Sequence, residues 1–169
     1  MTDFFQNNTV TSYPEITKTD FKAINNRYFK VIVIQIALVF IVLFIIAIFM
    51  NYKDHFELSE YSMWLYVLLS VAFIATLFLK IIGFKKRKYA VREKDISYKK
   101  GVFFRSLTTV PFNRIQHIEI DQGPIARYFG LVSLSVFTAG DSSDDLKVSG
   151  LLKEEAIQIK EFISTKIDG

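Results

Sequence analysis

The side chains able to do chemistry here are few and scattered. The 169 residues include no cysteine and two histidines, His55 and His117. Zinc, iron–sulfur and thiol-nucleophile chemistry are thereby almost excluded. His55 falls in a short polar stretch between two apolar runs and His117 in an alternating, strand-like one, so the pair cannot meet within one monomer. The acidic run GDSSDD (140–145) suggests calcium but lacks the ligand spacing and glycine of an EF-hand loop, and reads as a solvated hairpin loop. No nucleophile elbow, P-loop, zinc-helix or dinucleotide glycine pattern occurs. The expectation is a protein without a reaction, a cofactor or a metal.

Two basic features remain. Arg114, in PFNRIQH beside Gln116, suits a contact to a lipid headgroup or a partner carboxylate. The favoured reading is a structural role, satisfying turn carbonyls with its stem packed on apolar surface. Lys85, Lys86, Arg87 and Lys88 form an unbroken cationic run directly after an apolar stretch. Beside an anionic membrane each such residue gains about 1 kcal/mol. The run therefore reads as an orientation signal combined with nonspecific lipid attraction, not as a headgroup-selective pocket. Residues 85–169 hold 15 basic and 11 acidic side chains, and four of the basic ones belong to that run. The rest balance, so the net charge of +4 does not call for nucleic acid.

The elements that would position these groups begin with two apolar runs. Hydrophobic residues make up 51% of the chain, and mean hydropathy is +0.27, high for a soluble domain. Val31 to Met50 contains one polar side chain, Gln35, and no charge. At 1.5 Å per residue such a helix spans roughly 30 Å, one hydrocarbon core. A second run covers about 63–82, interrupted only by Lys80, which can snorkel to the headgroups. The first run starts too late, is too long and lacks the cleavage pattern of a signal peptide. Lys18, Lys22, Arg27 and Lys30 precede the first run, and Lys80 and the 85–88 cluster end the second. The connecting segment has one Lys against Asp54, Glu57 and Glu60. The positive-inside rule places both termini in the cytoplasm. Tyr52, Tyr61, Trp64 and Tyr66 suit the outer interface. Ala72 and Thr76, with Ser70 nearby, form a small-residue pair suited to packing the spans together or to a homo-oligomer contact. Residues 1–10 read as a loose tail. With Thr19 or Asp20 as a cap, Phe21, Ile24 and Tyr28 share one face of a short interfacial helix leading into the first span.

Beyond Gly83 the period changes to two. KYAVR, ISYKK, VFFRSLTTV, HIEIDQ, LVSLSVFTA and LKVSG read as strands. Gly101 supplies positive φ after Lys99 and Lys100. Gly123, Pro124 and Gly130 shape a short helical turn between two strands, with a partner contact as the alternative role. Ile115 and Ile118 have opposite parity, which requires a bulge near Gln116 or a strand starting only after a turn at Phe112–Asn113. Leu152, Ala156, Ile159 and Ile163 form the apolar stripe of a closing helix, 152–167.

Taken together, the strand pair around the KKG turn, VPFNRIQHI, QGPIARYFGL, SVFTAG and LKVSGLLKEEA resemble the bacterial pleckstrin-homology-like membrane proteins of the YdbS-like type. The resemblance covers roughly residues 15–167. It implies an α+β membrane protein: a transmembrane hairpin followed by a PH-like antiparallel barrel of two nearly orthogonal sheets, closed by a C-terminal α-helix. It places the chain in the bacterial inner membrane and supplies no reaction, ligand or catalytic residue. The expected division is a cytoplasmic lead-in over 1–30, the hairpin over 31–83 and the PH-like domain over 84–169. Eukaryotic PH domains that bind inositol lipids place basic residues in their first hairpin. Taken as Arg92–Asp95, that turn has no net charge, which argues against inositol-lipid recognition. Similar proteins look as if they work with a longer paralogue carrying several such domains. The expected role is a membrane-anchored interaction module contacting lipid and a protein partner; the alternative is an anionic-lipid-binding or envelope-stress protein.

Overall fold

The computed structural model describes residues 20–52, 62–139 and 146–167. The tail at 1–10, Thr19, His55, Tyr61 and the GDSSDD loop lie outside the described residues. Two long helices, α1 (Arg27–Tyr52) and α2 (Ser62–Lys85), form the transmembrane hairpin. Their lengths correspond to about 39 and 36 Å, so both extend beyond a hydrocarbon core. They run antiparallel, with ring contacts at Phe29–Phe84 (5.8 Å), Phe40–Phe73 (5.1 Å) and Phe44–Tyr66 (6.5 Å). Val39, Ile45, Leu68 and Ile74 face outward, as lipid-facing side chains do. Thr76 lines a cavity of about 330 Å³ with Ile36 and Phe40 of α1, so this member of the small-residue pair faces the first span, while Ser70 is exposed.

The hairpin is followed by the β-domain, and one short strand of that domain precedes it. Before α1, Lys22–Ala23 forms a strand, β1, and not the first turn of an interfacial helix. It pairs antiparallel with β2 (Lys88–Val91), Lys22 opposite Tyr89 and Ala23 opposite Lys88. The physical reason is twofold. The strand occupies the edge of β2, and it carries Ile24 into the barrel core, where the side chain is 3% exposed. An interfacial helix would leave Ile24 half in water. Asn25, not Asp20, starts the helix: its side-chain oxygen accepts the Arg27 N–H at 2.9 Å. A domain boundary at residue 84 therefore cuts a sheet.

β2, β3 (Asp95–Lys100) and β4 (Ser106–Pro111) complete a four-stranded antiparallel sheet in the order β1-β2-β3-β4. A 3-10 turn at Phe112–Arg114 leads to the second sheet, β5 (Ile115–Asp121), β6 (Leu131–Thr138) and β7 (Leu146–Leu152). The short helix α3 (Pro124–Tyr128) links β5 to β6, and α4 (Lys153–Ile167) closes the barrel. The parity conflict at Ile115 is resolved by both expected devices, the turn and a register slip that leaves Gln116 as the extra residue. The third predicted strand is shorter than its composition suggests. Gly101 adopts φ +109° and a Cβ there would stand 1.8 Å from the Phe104 carbonyl oxygen, so the chain folds into a tight loop before β4 begins. Ile96 and Tyr98 from one sheet, Leu134, Val136 and Val148 from the other, and Ala156 and Ile163 from α4 make one core.

Candidate functional site

The polar groups gather at three places on the barrel. The first ties β1 to α4. Lys22 Nζ and the Tyr89 hydroxyl both donate to Glu155 Oε1. Burial pushes the Glu155 carboxyl up, but the bonds from Lys22 and Tyr89, the Lys22 charge and the Leu152 backbone outweigh it and hold the group below its ordinary value. Burial, then the Glu155 bond and charge, push the Tyr89 hydroxyl far up. The network is a structural clasp: it seats a carboxylate in the first turn of α4, where the helix dipole favours it.

The second is the junction of hairpin and barrel. Gly150, with φ +88°, sits at the register slip between β6 and β7. A Cβ on it would stand 2.6 Å from Tyr28 Cγ, so the first turn of α1 lies directly on the β7 backbone. The Asn25 N–H donates to the Gly150 carbonyl at 3.0 Å. Arg87 turns toward this junction, its guanidinium carbon 6.0 Å from the Tyr28 ring centre. Burial raises the Tyr98 hydroxyl, while the Arg87 charge and hydrogen bond work against that rise.

The third place is a cationic cavity of about 300 Å³ lined by Lys85, Lys86 and Lys88 together with Lys99, Lys100 and Arg105. The four-residue basic run is thus split: three lysines line the cavity and Arg87 packs elsewhere. Lys88 stands directly opposite Lys99 across the β2–β3 ladder, a like-charge pairing that costs stability. Beside it the loop carries Phe103 and Phe104, 79% and 93% exposed. Sequence reasoning missed Arg105 and both phenylalanines because VFFRSLTTV reads as one strand. The signal was present: two adjacent Phe in a strand point to opposite faces, so a one-sided sheet cannot bury both.

The remaining candidates do not converge. Arg114 is exposed on the 3-10 turn, and its carbonyl accepts the Ala139 N–H at 3.4 Å. Gln116 is exposed at the bulge of β5. Gly123, Pro124 and Gly130 sit at the ends of α3 as cap, first helical residue and a positive-φ stop, at +66°. Arg92 and Asp95 form a two-point ion pair at 2.7 Å. With β1 counted, their turn joins β2 to β3 and is the second, so the turn whose neutrality argued against inositol lipids was misplaced. The first hairpin is the connection that holds both spans. His117 stacks on Phe137 at 4.3 Å and lies 3.5 Å from Glu119. Among the described residues no three His, Cys, Asp or Glu side chains cluster as metal ligands do.

A four-stranded and a three-stranded antiparallel sheet closed by a terminal helix define a PH-like domain, here built around a two-span hairpin. The family model described as "Bacterial PH domain" matches residues 19–167, and the chain belongs to that family. That range includes β1 and the hairpin, in agreement with a barrel that straddles both. A transmembrane protein of Bacillus subtilis (strain 168), UPF0699 transmembrane protein YdbS, is 26% identical over 115 residues, 63% of this chain and 70% of the relative. UPF0699 transmembrane protein YdbT of the same organism is 28% identical over 101 residues, 59% of this chain but 20% of the relative, so the chain spans about a fifth of that protein. Among solved structures, a DUF1696 family protein with a pleckstrin-homology domain from Shewanella loihica PV-4 shares 21% identity, with a TM-score of 0.37 over 48% of this chain and 70% of the other.

Proposed function

We propose that the chain is a membrane-anchored interaction module that holds its PH-like barrel at the cytoplasmic face and performs no reaction of its own. The observation that carries this reading is the pairing of β1 with β2 across the hairpin. Both spans enter the barrel through one sheet, so the domain is held against the bilayer at two points. Such rigid seating suits a docking platform. Arg27, Lys30 and the 85–88 cluster gather at that same end, which supports the cytoplasmic orientation and an inner-membrane location.

The surface best suited to a protein partner is β5. It is the end strand of its sheet, and Gln116, His117 and Glu119 are exposed along it, next to the exposed Arg114. An extended segment can add to such an edge by main-chain hydrogen bonds. The partner chemistry favoured is a second chain carrying the same kind of domain, such as a longer paralogue, because similarity reaches both a short and a much longer relative in one organism. A photo-crosslinking residue at Gln116 in the full-length protein in its native membrane tests this. Recovery of a distinct PH-domain protein is expected. Recovery of lipid and copies of the chain alone would remove the protein-binding reading. The competing reading, an anionic-lipid role, is favoured by the cationic cavity.

A further inference from the structure

We propose that α3 is an interfacial foot: a short helix of the barrel that rests in the bilayer surface beside the first span and sets the Tyr128 ring at the boundary of headgroups and acyl chains. The inference deepens the reading of the chain as a membrane-anchored module and rests on that reading.

The first observation is a burial that the hairpin alone cannot produce. Phe40 and Phe44 face the second span through Phe73 and Tyr66. Val31 precedes Phe40 by nine residues, about two and a half helical turns, so it points away from α2. Val31 is nevertheless 1% exposed. Phe49 lies about five turns further along that same face and is 59% exposed, as a lipid-facing side chain is. Contact between the two spans does not bury side chains to this degree, for α2 has no buried residue, even where Val102 approaches its Gly83. An element outside the hairpin therefore covers Val31, and α3 is the one packed most extensively against α1.

The second observation is depth. Val31 opens the uncharged run and directly follows Lys30. An element that covers it lies where hydrocarbon gives way to headgroups. The five residues of α3 rise about 7.5 Å, close to the thickness of one headgroup layer.

The third is the chemistry of the surface that α3 presents. Tyr128 is 87% exposed, and Pro124 and Arg127 are exposed with it. The ring has an apolar body and a polar tip, and the guanidinium rides on a long apolar stem, so both suit a membrane–water boundary. Residues 122–130 contain no carboxylate to oppose this. The ring is held in place. It stands edge-on to Phe129 at 5.2 Å, Gly130 turns the chain back at φ +66°, and Gln122 Nε2 donates to the Leu131 carbonyl at 3.0 Å across the base of the loop. The face of α1 that α3 covers continues outward as exposed Leu38, Val42 and Phe49. The foot is thus continuous with a lipid-facing surface, and its occupant is the same lipid.

The test uses the full-length chain in phosphatidylcholine vesicles. Trp64→Phe removes the one native indole, and Tyr128→Trp or Phe162→Trp then places a single indole on α3 or on α4. Phe162 packs on Phe112, beside the turn that β2 reaches as it leaves the hairpin, so it reports the far end of the barrel. The α3 indole should emit further to the blue than the α4 indole. Lipid brominated close to the headgroup should quench it several-fold more than lipid brominated near the chain ends, and should leave the α4 indole unquenched. A solvent-like emission at position 128, quenched no more than at 162, overturns the foot. A blue-shifted emission that no brominated lipid quenches means a protein surface covers the ring and overturns the lipid.

A second readout needs no indole. Tyr128→Cys gives the chain its one thiol, and a nitroxide attached there should collide more often with oxygen than with a water-soluble nickel chelate. The reverse order overturns the foot. A chain released by alkaline extraction removes the anchored-module reading. A chain that stays in the membrane with position 128 open to water overturns the foot alone.

Discussion

Excising the β-domain at residue 84 should leave a fragment that does not fold cooperatively. The cut removes β1, and the structure shows what goes with it. Ile24 is fully enclosed in the core; burying such a side chain stabilises by about 1.5–3 kcal/mol, and core truncations that leave a cavity cost about 2–5. The β1–β2 ladder and the Asn25–Gly150 bond are lost as well, at about 1 kcal/mol per hydrogen bond. Lys22 is mostly exposed, so its bond to Glu155 adds little. The sum is about 4–7 kcal/mol. A domain of this size has roughly 4–13 kcal/mol in total. Denaturant unfolding followed by circular dichroism should therefore show a broad or absent transition for residues 84–169. In the rescue, Asn26 is joined to Arg87 by a short Gly/Ser linker replacing the hairpin. Ala23 and Lys88 are cross-strand neighbours, so about 4–6 linker residues suffice. This spliced chain should unfold cooperatively. If the 84–169 fragment unfolds as cooperatively as the spliced chain and within about 1 kcal/mol of it, β1 is dispensable and the inserted-hairpin reading is wrong.

Gly150→Val should lower the thermal midpoint in detergent by roughly 5–15 °C, because it meets both the positive φ and the Tyr28 ring. Gly123→Ala, where a Cβ meets nothing within 4 Å and φ is −72°, should leave the midpoint unchanged. Glu155 is held below its ordinary value of 4.5, so its contribution is present above that pH and lost as pH falls through the lower folded value. Glu155→Gln should accordingly flatten the acid limb of a stability–pH profile below about 4.5, and an unchanged slope would remove the clasp. The chain has no native cysteine, so Phe40→Cys with Phe73→Cys should crosslink with a short bifunctional maleimide, whereas Phe40→Cys with the outward-facing Phe78→Cys should not.

Most of the architecture was legible because it rests on long-range composition and on period. Two spans announce themselves by length and uniform apolarity. The closing helix shows its stripe, and the turn at Phe112–Asn113 marks the corner between the sheets. β1 was not legible. Two residues cannot display a period of two, and Phe21, Ile24 and Tyr28 fit helical spacing equally well. Only the partner strand, more than sixty residues away, decides their conformation. Of the candidate site, the 85–88 cluster was visible as charge, but its division was not. Neighbours in a run point different ways once the chain leaves α2 and enters β2, so Arg87 packs on Tyr28 while its flanking lysines open to the cavity. Lys99 joins them through ladder register, Lys100 follows it, and Arg105 arrives with the tight loop before β4, relations that no local window contains.

The insertion point explains how a membrane hairpin and a barrel coexist in one chain. Antiparallel neighbours need only a short connection, and the ends of β1 and β2 lie side by side. The start of α1 and the end of α2 also lie side by side, with Phe29 and Phe84 in contact. The two pairs of ends match, so the hairpin replaces a turn without opening the sheet. The consequence is mechanical. A domain tethered at one terminus can rotate about its linker, but this one is held by two strands, by Tyr28 seated on Gly150, and by Arg87 packed against that ring. Rotating the barrel relative to the spans would pull Ile24 from the core or separate Tyr28 from β7. The Phe103–Phe104 loop is thereby kept beside the end of α2, and any tilt of the hairpin passes directly to β1, β2 and β7.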